Sequence, residues 1–122
     1  MSDTPFERFA RYLLPGLDIF VGPEAFIAEG MARGAVGAVS ALASALPGHV
    51  ADVVRDPTPA GADTLGELRA FVERFPRHAA LKRLLGLQGV AIQEDVRAPL
   101  RSLTPEERDE LDGWYEESLS AL

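Results

Sequence analysis

The sequence predicts an α/β fold: a strand, helix, strand unit with its strands parallel, followed by helices to the C-terminus. Three observations predict it. Two apolar runs, at 17–21 and 35–42, read as strands and flank a segment with helical spacing. Beyond residue 61, apolar residues recur at helical spacing. A single helix joining two strands of one sheet is the crossover that a parallel pair requires.

Each element has a local reason. Thr4-Pro5-Phe6-Glu7 has the form of a capping box with proline at the first helical position, and Phe6, Phe9 and Leu13 then share a face, which predicts a helix over 5–14. Pro15-Gly16 breaks it, and the β-rich run 17–21 follows, bounded by Gly22. Pro23 opens a helix over 23–33 with Phe26, Ile27 and Met31 on one side and Gly34 as its stop. The run 35–42 has the small, apolar character of a strand covered on both faces. Pro47 starts a helix bearing Val50, Val53 and Val54, and 56–61 reads as a loop. Leu65, Leu68, Phe71, Val72 and Phe75 predict an amphipathic helix, and Pro76 separates it from a shorter one with Leu81, Leu84 and Leu85. Residues 86–102 look irregular, and the capping box Thr104-Pro105-Glu106-Glu107 opens a terminal helix with Leu111, Trp114, Leu119 and Leu122. A sheet of two strands leaves edges without partners, so the pair reads as a piece of a larger sheet.

At 122 residues the chain fits one compact domain, and 47% hydrophobic against 25% charged residues is a globular balance. Nineteen acidic against twelve basic residues give a net charge of −7, a field that repels phosphate polymers and anionic lipid, so neither nucleic acid nor membrane is an expected partner. The absence of cysteine excludes disulfides, a thiolate nucleophile and cysteine-ligated metal. Without a basic and apolar leader at residues 1–5, and with no apolar run approaching about 20 residues, the chain is expected to be soluble and cytoplasmic.

Candidate chemistry is sparse. His49 and His78 lack carboxylates at metal-binding spacing and read as surface or helix-flank residues. Ser40, Ser44, His49 and Asp52 supply the residue types of a nucleophilic triad, but the context Ala38-Val39-Ser40-Ala41-Leu42 is not a nucleophile elbow. Glu106, Glu107, Asp109, Glu110 and Asp112 fall in the first turns of a capped helix, where negative charge favours the dipole, so a solvated face is expected and no metal. Gly30, Gly34 and Gly37 do not form a dinucleotide fingerprint. Eleven of the twelve basic residues are arginine, which leaves Lys82 and the N-terminus as the only amines able to attack a carbonyl. On an amphipathic helix Lys82 reads as a snorkelling side chain.

Two stretches nevertheless resemble a known family. Ile19-Phe20-Val21-Gly22-Pro23-Glu24, then Gly34-Ala35-Val36-Gly37-Ala38-Val39-Ser40 with Ser44 and Pro47 beyond, is similar to the last two βα units of the dihydrodipicolinate synthase/N-acetylneuraminate lyase family. Ala80 to Leu87, Val96-Arg97-Ala98-Pro99-Leu100 and Leu103 to Arg108 are similar to that family's C-terminal helical extension.

The resemblance implies the C-terminal part of a (β/α)8 barrel: helix, strand 7, helix 7, strand 8 and helix 8 over 1–56, then a helical extension over 57–122 within the same domain. Family members join pyruvate or a related 2-oxo acid to a lysine of the sixth strand as a Schiff base and then make or break a carbon–carbon bond. By the resemblance that lysine falls at or just before Ser2, so a truncated chain, inactive alone and with no catalytic residue of its own, is expected. Tyr12 and Tyr115 do not match the family's proton-shuttling tyrosine. What carries over is the rim of the pyruvate pocket, Gly22, Val39 and Ser40, while Ser44 stands where many members have asparagine. No cofactor is implied. The expected partners are a 2-oxo acid once the site is completed, and further copies of the chain or a partner chain covering the open sheet edges. The alternative reading is a non-catalytic interaction module, or half of a split barrel.

Overall fold

The computed structural model describes residues 5–119. In order these form α1 (Phe6–Ala10), β1 (Phe20–Val21), a 3-10 turn (Glu24–Phe26), α2 (Ile27–Ala32), β2 (Gly37–Ala38), a second 3-10 turn (Leu42–Ser44), α3 (Pro47–Arg55), α4 (Pro59–Val72), α5 (Arg77–Leu87) and α6 (Pro105–Ser118). The chain divides into two compact units, Met1–Arg69 and Ala70–Leu122, with the division inside α4.

The first unit holds the sheet. β1 and β2 pair in parallel, Phe20 opposite Gly37 and Val21 opposite Ala38, with α2 as the crossover between them. Val36 N–H donates to the Ile19 carbonyl at 2.9 Å and Val39 N–H to the Val21 carbonyl at 2.8 Å, which extends the ladder by one bond on each side. Val21 is fully buried against α2, and the contact is close: a Cβ on Gly30 would lie 2.6 Å from a Val21 methyl. Phe9, Ile27, Leu42 and Leu65 complete this core.

Several elements are shorter than their sequence signals. The strands predicted over 17–21 and 35–42 shrink to two residues each, because each has one neighbour and pairing defines a strand. β2 is cut off at Ala38 because residue 41 turns into the helical region and starts the 3-10 turn. The helix predicted over 5–14 ends at Ala10, and Pro5 caps it in an extended conformation instead of lying inside it. Thr4, the expected cap, lies outside the described residues. The helix predicted over 23–33 splits into a 3-10 turn and α2, and Gly34 at φ +105° supplies the expected stop. The loop assigned to 56–61 gives way after Thr58: its hydroxyl accepts from Gly61 N–H at 3.0 Å and α4 begins at Pro59. Thr58-Pro59 thus uses the same threonine cap and first-position proline as Thr104-Pro105.

The second unit is helical. α5 packs on α6 around Ala80, Leu84 and Leu111, and Phe71 stacks on Trp114 with ring centroids 4.2 Å apart. The capping box at α6 forms as predicted: Thr104 Oγ accepts from Glu107 N–H at 3.1 Å and Glu107 returns a bond to Thr104 N–H at 2.9 Å. Residues 88–104 contain no helix or strand. Among the described residues no helix is long and apolar enough to cross a membrane.

Candidate functional site at the strand ends

Parallel βα folds place their ligand sites where the C-terminal ends of strands pass into the following turns. Here those ends are Gly22-Pro23-Glu24 after β1 and Val39-Ser40-Ala41-Leu42 after β2. A single buried charge ties them together. Glu24 is the only buried ionic residue among those described. Its Oε1 accepts from the Ser40 hydroxyl at 2.6 Å and from Leu42 N–H at 3.2 Å, and both oxygens accept from Arg69 Nη1 at 3.1 Å. The carboxylate therefore pins the second strand end to the first, and α4 to both.

Burial by itself would raise the Glu24 pKa; hydrogen bonds from Ser40, its own backbone N–H and Leu42, with the charge of Arg69, more than offset this and hold the carboxyl below its ordinary value. The charged form is the one the site is built around.

Of the three predicted rim residues, Gly22 is half-buried, Val39 is 73% exposed and Ser40 is half-buried. Ser40 is fully engaged as a donor, since its one O–H goes to Glu24, and its oxygen also accepts from Ala43 N–H at 3.1 Å. Phe20, 44% exposed, lies on the open face of the sheet with its ring over Gly37, where a Cβ would come within 3.0 Å of it. The triad candidates do not assemble: Ser40 bonds to Glu24, Ser44 donates to the Ala41 carbonyl, and Asp52 pairs with Arg55. Three of the acidic residues of α6 go into separate pairs, Glu107 with Arg101, Glu110 with Arg74 and Asp112 with Arg83, and no group able to hold a metal occurs among the described residues. Lys82 lies in the second unit, its Nζ donating to the Asp95 carbonyl at 2.5 Å.

Glu24 and Arg69 had no place in the sequence-based site. Glu24 stood inside the quoted strand-end motif, but its partner is 45 residues away in a different helix and no periodicity links the two.

Two parallel strands joined by a helix, with a polar anchor at their C-terminal ends, define an α/β protein of the βα-repeat kind. Comparison with known proteins narrows this. No family model matches the chain. It is 32% identical over 118 residues to an uncharacterized DapA-like lyase of Halobacterium salinarum, covering 91% of this chain and 38% of that protein. It is 35% identical over 108 residues to another from Chloroflexus aurantiacus, covering 84% of this chain and 36% of that one. Its backbone matches dihydrodipicolinate synthase from Agrobacterium tumefaciens with a TM-score of 0.77 and 30% identity, over 97% of this chain and 42% of that one. The chain thus belongs to the dihydrodipicolinate synthase family over the region it shares with these proteins, and spans about two fifths of their length.

Proposed function

We propose that β1 and β2 are the seventh and eighth strands of a (β/α)8 barrel, and that Gly22, Val39 and Ser40 form one side of a pocket for pyruvate or a related 2-oxo acid in a Schiff-base lyase. The observation that carries this reading is the strand-end geometry, two consecutive parallel βα units whose turns are bolted together by Glu24, in a chain whose backbone follows dihydrodipicolinate synthase. In this site Gly22 lets the chain turn close to a ligand and Val39 offers an apolar wall. Ser40 holds the rim in shape, since its only proton is committed to Glu24.

Such a lyase needs an amine that attacks the ketone, loses water to form an imine and then acts as electron sink. The only lysine of this chain, Lys82, lies on α5 in the helical unit, bonded to a loop carbonyl. The chain by itself therefore contributes pocket wall and no lysine on a strand, and the remaining strands of the barrel supply the amine. Phe20 and Val39, exposed on the open sheet face, favour completion of this kind, because a barrel covers that face with side chains from the other strands. A partner chain providing those strands is the second reading, and the same exposed face supports it.

The test is chemical. Incubation of the chain alone with pyruvate and borohydride should leave its intact mass unchanged. A reduced pyruvyl adduct on Lys82 or on the N-terminus would contradict the reading.

A further inference from the structure

We infer that the helical unit carries a second binding site, for a small monocarboxylate with an apolar body, in the cavity between α5 and the segment 95–100. This does not rest on the proposed lyase function.

The cavity has a volume of about 470 Å³ and is lined by His78, Lys82, Asp95, Val96, Arg97 and Leu100. That is the size range of small-molecule sites, which are commonly apolar with a few polar groups fixing orientation. Two basic side chains and one carboxylate line it, which leaves one formal positive charge in excess in a chain whose net charge is −7.

The cations keep donors to spare. The Lys82 ammonium has three protons and one goes to the Asp95 carbonyl. The Arg97 guanidinium has no hydrogen-bond or ion-pair partner among the described residues, whereas Arg33, Arg55, Arg69, Arg74, Arg83, Arg101 and Arg108 are all paired with carboxylates. A planar fork of donors and an ammonium with protons to spare, lining one cavity, match a carboxylate, which Arg binds in bidentate fashion.

The rest of the lining sets the remainder of the ligand. Val96 and Leu100, the latter 48% exposed, give an apolar wall that an inorganic anion would leave wet. Asp95 opposes a second negative charge, so a monoanion fits better than a dicarboxylate.

The experiment is a titration of the intact chain with hexanoate, followed by amide chemical shifts. Hexanamide, which lacks the charge, and inorganic phosphate, which lacks the apolar body, are the controls. Hexanoate should bind at least tenfold more tightly than either and shift the amides of 95–100, and Arg97→Gln should weaken it about tenfold with the circular dichroism spectrum unchanged. If Arg97→Gln fails to fold, Lys82→Gln reads the same loss. Hexanamide or phosphate binding as tightly as hexanoate would overturn the inference, as would full-strength binding by a folded variant.

Discussion

The two units of the chain are held together by different physics. In Met1–Arg69 the strands are two residues each, and their ends meet through one buried carboxylate whose partners lie 16, 18 and 45 residues away. In Ala70–Leu122 the elements are helices, α6 opened by a local capping box, with several partly exposed ion pairs, among them Arg83 with Asp112 and Glu94. Long-range charge in a buried site is costly to break, because removal of one partner strands the other without water. Ion pairs open to solvent are individually worth little. The unit that carries the strand-end site is therefore the one that depends on a single group.

The largest expected effect follows from that dependence. Arg69→Met leaves the Glu24 charge buried without its cation, held only by hydrogen bonds from Ser40, Leu42 and its own backbone N–H, and should destabilise the first unit by about 3 kcal/mol in urea unfolding. Glu24→Ala should cost a similar amount, since it strips the Ser40 hydroxyl, the Leu42 amide and Arg69 at once. Gly30→Ala probes the same unit through packing. A new methyl 2.6 Å from Val21 must push α2 off β1, for about 1–3 kcal/mol by the same measurement. In the helical unit Thr104→Ala should cost only about 1 kcal/mol, as one cap among several local contacts. A loss at Thr104 as large as that at Arg69 would erase the contrast.

Acid separates the regions in a further way. The folded-state pKa of Glu24 lies below its ordinary value of 4.5, so its contribution is present above that value and is lost as pH falls through the folded pKa. Glu107 is lowered as well, to about 2, by hydrogen bonds from Arg101 and Thr104 N–H, but it is in contact with solvent, where screening reduces the effect on stability. Thermal melts from pH 6 to pH 3 should show wild type losing stability that Glu24→Gln never had.

Legibility in the sequence followed the range of the interaction. The α6 cap and the Gly34 stop could be read because all their parts lie within a few residues. The parallel crossover was legible from two apolar runs and the helix between them. Strand length was not, because it depends on how many neighbours a strand has, and Thr58-Pro59 was hidden inside a proline-rich stretch that reads as a loop. At the site, family resemblance pointed to Gly22, Val39 and Ser40. The group that fixes Ser40 remained invisible, since a glutamate after a strand looks like any surface acid until Arg69 arrives from another helix.

The central claim is that Glu24 holds the strand ends that carry the site. Amide hydrogen exchange at Leu42, expressed as a protection factor to remove the intrinsic pH dependence, tests it directly. Protection at Leu42 should fall sharply in Glu24→Gln relative to wild type at neutral pH, while protection at Leu84 in α5 stays as it was. Equal protection of Leu42 in the two proteins would contradict the account.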